Sequence, residues 1–390
     1  MTDVTINSDA ILDRTYTSSS NLSSIFGDKV TKYTIGYDVK SIGDYAFFGC
    51  CKLTSLYFPN TIKNIGDYAF YNCNQIAFID FGSADLITNL NSYIFYGTAI
   101  SSIIIPASVT SISSNAFNSC TNLTTVTFAL GSKISSISGG YTFKGCTSLL
   151  SISFPDTLRS IGSCIFMNCT SLISLDISNT QIYSIPQYAF SGCSSLETLY
   201  LPNNLTSIGS SAFINCSALT NIYTNNSSNV TINDSAFQDC TSLIYIGDIS
   251  GNSPITIGYV GDTSFAGCKS ILEIHLTNTV TSIGIQTFKD CEELQYINIP
   301  TSVSSIGLDA FEGAFTKSIP QGDNSTTYGI YFDFGTETSS VWTYIAINHV
   351  TNFRSEFKLN KTDSIYRITM NIKIYSSSSY TKATMLRKTS

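Results

Sequence analysis

The chain has 390 residues, of which 43% are hydrophobic and 12% are charged, and its formal net charge at pH 7 is −7. This composition excludes an intrinsically disordered chain, which requires low hydrophobicity and high net charge. Eight of the 20 basic residues lie in 351–390, so the rest of the chain is strongly acidic; this argues against nucleic acid as the main ligand, because phosphate binding needs a basic surface.

The N-terminal segment carries a weaker apolar pattern than the rest of the chain, and residues 1–29 are predicted to cap the first repeat. The following Lys29–Ile35 is predicted to form an edge strand. The opening residues hold neither a basic nor a long apolar stretch, and no run approaches the roughly 18 apolar residues of a membrane span. The sequence therefore predicts no signal peptide and no membrane insertion. The apolar positions of the cap are Ile11, Leu12, Leu22, Ile25 and Phe26.

One phrase recurs through residues 30–319: Ser-Ile-Gly-x-x-Ala-Phe-x-x-Cys-x-x-Leu-x-x-Ile-x-Ile-Pro. A period of 22 to 28 residues with a Leu-x-x-Ile-x-Ile core is typical of a leucine-rich-repeat solenoid. The sequence predicts a right-handed horseshoe of about 12 repeats with a parallel concave β-sheet. The phenylalanines that set the period are Phe47, Phe70, Phe95, Phe117, Phe143, Phe166, Phe190, Phe213, Phe237, Phe265, Phe288 and Phe311.

Each repeat is predicted to combine a short strand with about one turn of helix, which makes the fold an α/β solenoid. In the fourth repeat, Ala116, Phe117 and Cys120 would share one helical face. Val126 and Phe128 alternate with outward threonines in the strand that follows. Acidic residues near the helix starts are predicted to act as caps or dipole partners. They are Asp44, Asp67, Asp234, Asp262 and Asp309.

Ten of the 12 cysteines stand three residues after the repeat phenylalanine, a position that Thr98 and Ala314 fill in two other repeats. Stacked side chains would lie about 4.8 Å apart with parallel Cβ vectors. A disulfide needs Cβ atoms that face each other at ~3.8 Å. The sequence therefore predicts a ladder of buried, unpaired, metal-free thiols that act as small apolar side chains.

After Pro320 the period ends, and residues 320–390 are predicted to form a small β-rich cap or domain with a basic tail. Strands are predicted at Tyr328–Phe334, Val341–Asn348 and Ile365–Tyr375, the last with alternating apolar and polar residues. A repeat array needs a cover at its open end. A separate binding module is the alternative.

Strand alternation predicts which side chains face outward from the concave sheet. In the middle repeats they are mainly Ser and Thr, whereas the later repeats place aromatic and polar side chains in two adjacent columns. Tyrosine is frequent at interfaces, and its high β propensity is the alternative explanation. Neither column holds Lys or Arg, which predicts a protein partner with a neutral or basic surface. The predicted partner-binding residues are Tyr200, Tyr223, Tyr245, Glu273, His275, Tyr296 and Asn298.

The sequence does not predict catalysis. The two histidines, His275 and His349, lie in different regions, and no nucleophile elbow, Walker loop, zinc-protease motif or dinucleotide fingerprint occurs. The cysteine spacing fits no zinc site. No catalytic residue, metal or cofactor is therefore assigned.

The stretches SIGDYAFFGCCKLTSLYFP, SIGSSAFINCSALTNIY and SIGIQTFKDCEELQYINIP resemble the BspA-like leucine-rich-repeat family of bacterial and protist surface proteins. The resemblance implies adhesion to host proteins or other cells through the repeat surface, and a cell-surface or secreted location. The missing signal peptide and the reduced thiols favour a cytoplasmic scaffold or assembly component, which stays open as the alternative.

Overall fold

The computed structural model describes residues 3–82, 85–226, 228–248, 254–300 and 302–314, and the backbone of four strands between residues 331 and 388. The chain divides into two compact units, Met1–Pro202 and Asn203–Ser390. The repeated segments fold as a parallel β-solenoid of about 11 turns, which confirms the solenoid that the period predicts. The right-handed horseshoe and the count of 12 repeats stay predictions.

The first unit begins with one strand and two short helices and continues as regular turns. The helices are α1 (Asp9–Leu12) and α2 (Leu22–Phe26). The strands are β1 (Asp3–Ile6), β2 (Lys32–Ile35), β3 (Ser41–Ile42), β4 (Ser55–Tyr57), β5 (Asn64–Ile65), β6 (Phe78–Asp80), β7 (Asn89–Leu90), β8 (Ser102–Ile105), β9 (Ser111–Ile112), β10 (Thr125–Phe128), β11 (Ser136–Ile137), β12 (Ser151–Ile152), β13 (Ser160–Ile161), β14 (Ser174–Asp176), β15 (Ser184–Ile185) and β16 (Thr198–Tyr200).

The second unit continues with strands alone in its described part. They are β17 (Ser207–Ile208), β18 (Asn221–Tyr223), β19 (Val230–Ile232), β20 (Tyr245–Gly247), β21 (Thr256–Val260), β22 (Glu273–Leu276), β23 (Ser282–Ile283), β24 (Tyr296–Pro300), β25 (Ser305–Ile306), β26 (Tyr331–Asp333), β27 (Ser355–Thr362), β28 (Ile365–Lys373) and β29 (Tyr380–Lys388).

Most turns contribute one strand to each of two parallel rows. The first row consists of the face strands, which follow the Cys-x-x-Leu segment. Along a face strand, inward apolar residues alternate with outward ones: Leu56 and Ile79 are register partners and buried, whereas Tyr57 beside them is exposed. The second row consists mainly of short Ser-Ile strands. The face strands are β4, β6, β8, β10, β12, β14 and β16 in the first unit and β18, β20, β22 and β24 in the second.

At the N-terminus, the predicted edge strand is present as β2, but it is not the edge. Strand β1 pairs with it in parallel, with Val4 opposite Tyr33. Of the five apolar residues named for the cap, Leu12 and Leu22 are fully buried, Phe26 is half-buried, and Ile11 and Ile25 are exposed. The apolar pattern of the sequence therefore included two buried residues, Leu12 and Leu22, but did not predict the additional strand.

The prediction of a helical turn around each repeat phenylalanine is wrong. We call this segment, from three residues before the phenylalanine to three residues after it, the corner. The corners are successive turns, because the residues two before and two after each phenylalanine have positive φ, as in Tyr45 (58°) and Gly49 (66°). An α-helix needs consecutive residues with negative φ, so these two positions interrupt it. The residue two before the phenylalanine is Tyr45, Tyr68, Tyr93, Asn115, Tyr141, Cys164, Tyr188, Ser211, Ser235, Thr263, Gln286 or Asp309.

Hydrogen bonds between successive corners replace the helical ones. In the first corner, the N–H groups of Tyr45, Phe47 and Gly49 donate to carbonyl oxygens of the next corner at 2.8–2.9 Å. The intervening Phe48 and Cys50 donate at 3.0 Å to carbonyl oxygens three residues earlier. Backbone N–H groups therefore donate alternately to the next turn and to their own turn. These hydrogen bonds satisfy the polar groups of the buried backbone.

Four of the five aspartates predicted to cap helices bind the next turn instead: Asp44, Asp67, Asp234 and Asp262. Asp44 Oδ1 accepts the N–H of Asp67 at 2.8 Å, and Asp67 Oδ1 accepts the N–H of Ser92 at the same distance. In the second unit, Asp262 Oδ1 accepts the N–H of Ile285 at 2.7 Å. These carboxylates are therefore structural hydrogen-bond acceptors.

The ten in-register cysteines are buried, as predicted, and their thiols also act as donors. Cys73 Sγ donates to the carbonyl oxygen of Phe47, and Cys240 Sγ to that of Phe213, both at 3.0 Å. Six further thiols make the equivalent bond to the preceding turn at 3.1–3.3 Å. The cysteine position therefore combines a small apolar volume with a donor for a buried carbonyl.

We expect thiol reagents to distinguish one cysteine from the other 11. Only Cys51 is exposed, and burial raises the pKa of Cys120 from 9.0 to about 12. Ellman's reagent at mildly alkaline pH should therefore titrate one thiol in the folded protein and 12 after denaturation. Because folding favours the neutral thiol, stability should be complete below pH 9.0 and decline as pH rises toward 12. Rapid reaction of several thiols in the folded state would contradict the burial.

The C-terminal region contains the expected β-structure in its described backbone. β26 pairs in parallel with β24, and β27, β28 and β29 form an antiparallel sheet. β28 lies in the segment with predicted alternation. The predicted strand Val341–Asn348 lies outside the described residues. The boundaries at residues 29 and 319 stay predictions.

Candidate functional site

The predicted partner-binding residues all lie on face strands at outward, half-buried positions. Tyr200 lies at the end of β16 in the first unit, opposite Asp176 of β14. The other six lie in the second unit. Tyr223 is on β18, Tyr245 on β20, Glu273 and His275 on β22, and Tyr296 and Asn298 on β24.

Three of these side chains form a cluster on β22 and β24. His275 Nε2 lies 3.0 Å from Glu273 Oε2, and the His275 ring centroid lies 5.1 Å from that of Tyr296, with the ring planes tilted by 37°. Glu273 and Tyr296 are register partners. The side chains of His275 and Glu273 are 31% and 34% exposed. The cluster therefore offers an aromatic surface, an imidazole and a carboxylate at one place.

Asn298 has a structural role that the sequence did not indicate. Its Oδ1 accepts the N–H of Leu276 at 2.8 Å, and its Nδ2 donates to the carbonyl oxygen of Leu276 at 2.6 Å. The amide thus binds both polar backbone groups of one residue on the neighbouring strand. It holds β24 beside β22 and fixes the register of the cluster.

The two outward columns are interrupted between β20 and β22. The N–H of Leu272 donates to the carbonyl oxygen of Ile244 at 3.4 Å, so the two strands begin side by side. Beyond that point the register partner of His275 is Thr256 of β21. Tyr245 instead donates from its hydroxyl to Asp248 Oδ1 at 3.3 Å. The predicted residues therefore form the β22–β24 cluster and a separate pair of tyrosines on β18 and β20.

Three large apolar side chains at outward positions of the first unit were not among the predicted site residues. Tyr57, Phe78 and Ile104 lie on β4, β6 and β8 and are all exposed. The alternation of the strands places them outward, but sequence reasoning selected the later repeats for their tyrosines. Three large apolar groups at neighbouring outward positions are the signal that was available.

A stacked set of rings at the corners of the first unit was also missed. Neighbouring rings in each row lie within 8° of parallel, so their faces cover one another and leave mainly edges and hydroxyls for solvent. Burial raises the pKa of Tyr68. The ladder stabilises successive turns and offers little ring area to a partner. One row is Tyr45, Tyr68 and Tyr93, with centroids 4.7 and 4.6 Å apart; the other is Phe48, Tyr71 and Tyr96, with centroids 4.9 and 4.5 Å apart.

The described part of the chain supports neither a metal site nor a catalytic cysteine. No three His, Cys, Asp or Glu side chains there are grouped as metal ligands would be. Burial raises the pKa of Cys73 and Cys146, which disfavours the nucleophilic thiolate at these positions. None of the described helices has the length and apolar character required to cross a membrane.

A parallel β-solenoid of stacked turns is the architecture of a repeat protein. Six copies of the BspA type leucine rich repeat region match residues 40–140, 129–244 and 258–386. The chain belongs to this family, as its corner and strand motifs indicated. Leucine-rich-repeat solenoids are generally non-enzymatic.

Several solved leucine-rich-repeat structures are similar to this chain. A protein from Bacteroides ovatus is 28% identical, with 76% of this chain and 88% of that chain covered and a TM-score of 0.47. One from Eubacterium ventriosum is 22% identical, with 77% and 86% covered and a TM-score of 0.46. The pneumococcal vaccine antigen PcpA is 19% identical, with 77% and 80% covered and a TM-score of 0.42. No curated protein matches the sequence.

Proposed function

We propose that this protein recognises another protein through its outward strand face, without catalysis. The observation that carries the proposal is the contact of His275 with both Glu273 and Tyr296 on β22 and β24. Aromatic and polar groups held by rigid strands can bury area on a partner with little loss of side-chain entropy. Membership of a leucine-rich-repeat family supports the same function.

The charge of this face favours a neutral or basic partner. Glu273 contacts His275 and Asp248 accepts a hydrogen bond from Tyr245, whereas the outward positions of the face strands hold no Lys or Arg. Opposite charge steers a partner toward the face and disfavours an acidic one. Tyr223 and Tyr245 add a second aromatic area within the second unit, Asn298 holds the register of the β22–β24 cluster, and Tyr200 stays a predicted contact residue of the first unit.

Adhesin-like binding to a host or cell-surface protein is the form of recognition that we favour, because the chain belongs to a family with BspA type repeats. An intracellular scaffold is the second candidate. The 12 free thiols favour it, since exported proteins more often hold disulfides. Fractionation of the source cells separates the two candidates: a surface or secreted fraction favours the adhesin and a purely cytosolic one the scaffold.

We expect the double substitution His275→Ala and Tyr296→Ala to weaken partner binding by about 2 kcal/mol or more. Binding should be measured by biolayer interferometry against an array of purified extracellular and cell-surface proteins. The array supplies the partner, and the variant is then compared with wild type at equal concentration. The physical reason is that the His275 and Tyr296 rings contact each other at outward, half-buried positions, where a partner can cover both.

Tyr37→Ala is the matched control, because Tyr37 is a highly exposed tyrosine of the first unit that lies outside the face strands. It should leave affinity unchanged. If the double variant binds every identified partner as tightly as wild type, with an unchanged circular dichroism spectrum, the β22–β24 cluster is not the recognition site.

A further inference from the structure

The first unit exposes a compact group of large apolar side chains on its face strands. Tyr57 is 56% exposed, Phe78 is 45% exposed and Ile104 is 63% exposed. Soluble proteins commonly leave single apolar residues in solvent, whereas contiguous exposed groups indicate an interaction surface. The three residues, together with Asp80, form what we call the first-unit patch.

The strand register brings the four residues together. Tyr57 lies opposite Asp80 across β4 and β6, and its ring centroid is 5.9 Å from that of Phe78, with the planes tilted by 57°. The N–H of Ser101 donates to the carbonyl oxygen of Ala77, which aligns β8 with β6. Ile104 therefore follows Asp80 at the same outward position of the next strand. Asp80 lies between two apolar groups, with Phe78 beside it on its own strand.

The patch differs from the stacked rings at the corners of the same unit. The corner rings lie nearly parallel and cover each other's faces, whereas the tilt between Tyr57 and Phe78 leaves ring area open to solvent. A cation can approach an open aromatic face, which adds a favourable electrostatic contact. The geometry is therefore suited to a ligand that is both apolar and positively charged.

The charge of the first-unit patch is negative, because Asp80 is its one acidic residue. Asp80 Oδ1 accepts the N–H of Gly82 at 2.7 Å, which fixes the orientation of the carboxylate. No ion pair among the described residues includes Asp80. The outward charges of the preceding strands β1 and β2, Asp3 and Lys32, have opposite sign and are register partners. An uncompensated carboxylate among three apolar groups attracts a basic side chain that is attached to an apolar one.

We propose that the first-unit patch binds a protein segment that presents apolar side chains next to Lys or Arg. The apolar side chains of the segment would cover Tyr57, Phe78 and Ile104, and its cation would pair with Asp80. The patch is separate in sequence from the residues of the proposed β22–β24 site, so either site can fail a test without the other.

The test uses the full-length protein and three synthetic peptides of equal length. One alternates Leu with Arg, one alternates Leu with Glu, and one alternates Ser with Arg. Fluorescence anisotropy at low ionic strength should show binding of the Leu–Arg peptide alone. Phe78→Ala should weaken that binding by about tenfold or more, as expected for a central aromatic contact. Asp80→Asn should weaken it several-fold and reduce its dependence on salt.

Three control variants keep the test specific. Leu130→Ala removes a fully exposed apolar side chain that lies outside the face strands, and it should have no effect. Asp176→Asn removes an outward carboxylate of β14 without an exposed apolar neighbour on its strand, and it should also have none. His275→Ala with Tyr296→Ala should leave peptide binding unchanged, which separates this patch from the proposed site.

Four results would overturn the proposal. Equal binding of the Leu–Glu or the Ser–Arg peptide would show that the stated chemistry is wrong. An equal effect of Asp176→Asn and Asp80→Asn would show general attraction to an acidic protein. Unchanged binding by Phe78→Ala would remove the patch as the site. Self-association in sedimentation velocity that Phe78→Ala abolishes would assign the patch to a second copy of the chain.

Discussion

Replacing Phe117 with alanine is expected to lower the free energy of unfolding by about 3–5 kcal/mol, the range for large-to-small substitutions of buried aromatic residues. The side chain is fully buried. Its ring centroid lies 5.6 Å from that of Phe95 and 5.4 Å from that of Phe143. The substitution thus removes two ring contacts and leaves a cavity between turns. Urea unfolding followed by circular dichroism measures the change.

Phe78→Ala is the matched control, because it removes the same side chain from an exposed position. Surface substitutions usually change stability by no more than about 0.5 kcal/mol. We therefore expect the control to unfold close to wild type. If Phe117→Ala lowers the free energy of unfolding by less than about 1 kcal/mol, the stacked repeat phenylalanines do not form the core, since cavity formation alone costs more than that.

Replacing Gly139 with alanine is expected to destabilise the first unit by at least about 2 kcal/mol, because it overpacks a rigid contact. A Cβ at this position would lie 2.2 Å from the backbone nitrogen of Ser114 and 2.3 Å from the carbonyl carbon of Ser113. These atoms belong to the preceding turn and cannot rotate away as a side chain would. Two turns must separate to admit the methyl group, and thermal unfolding should show a lower Tm.

The neighbouring Gly140 supplies the control for this substitution. A Cβ there would approach only the carbonyl oxygen of Ser163, at 3.3 Å, and a shift of a few tenths of an ångström relieves that contact. Gly140→Ala should therefore cost distinctly less stability than Gly139→Ala. Equal effects of the two substitutions would mean that the close approach of the turns at Gly139 does not explain the destabilisation.

The repeat period predicted the solenoid and the buried positions correctly because both depend on the spacing of apolar residues. The phenylalanine and cysteine columns, such as Phe213 and Cys216, are fully buried. A residue that recurs at one place in every turn meets its own equivalents when the turns stack. Burial can therefore be predicted without any knowledge of the backbone path at the corner.

The corner conformation could not be predicted in the same way. Ala, Phe and Cys at these spacings fit one face of a helical turn, but they fit successive turns equally well. The positive φ of residues such as Tyr68 and Asn72 decides between the two, and this conformation is unfavourable for residues other than glycine. Hydrogen bonds to the next corner stabilise it, and they exist only when the turns are stacked.

The sequence by itself determined the turn-by-turn architecture and which strand residues point outward, because side-chain alternation along a strand is a local property. Only the tertiary structure decided which outward residues meet. The pairing of His275 with Thr256 of β21 separates Tyr245 from the β22–β24 cluster, and the alignment of β4, β6 and β8 assembles the first-unit patch. Such contacts depend on how distant turns align, which no local pattern of residues specifies.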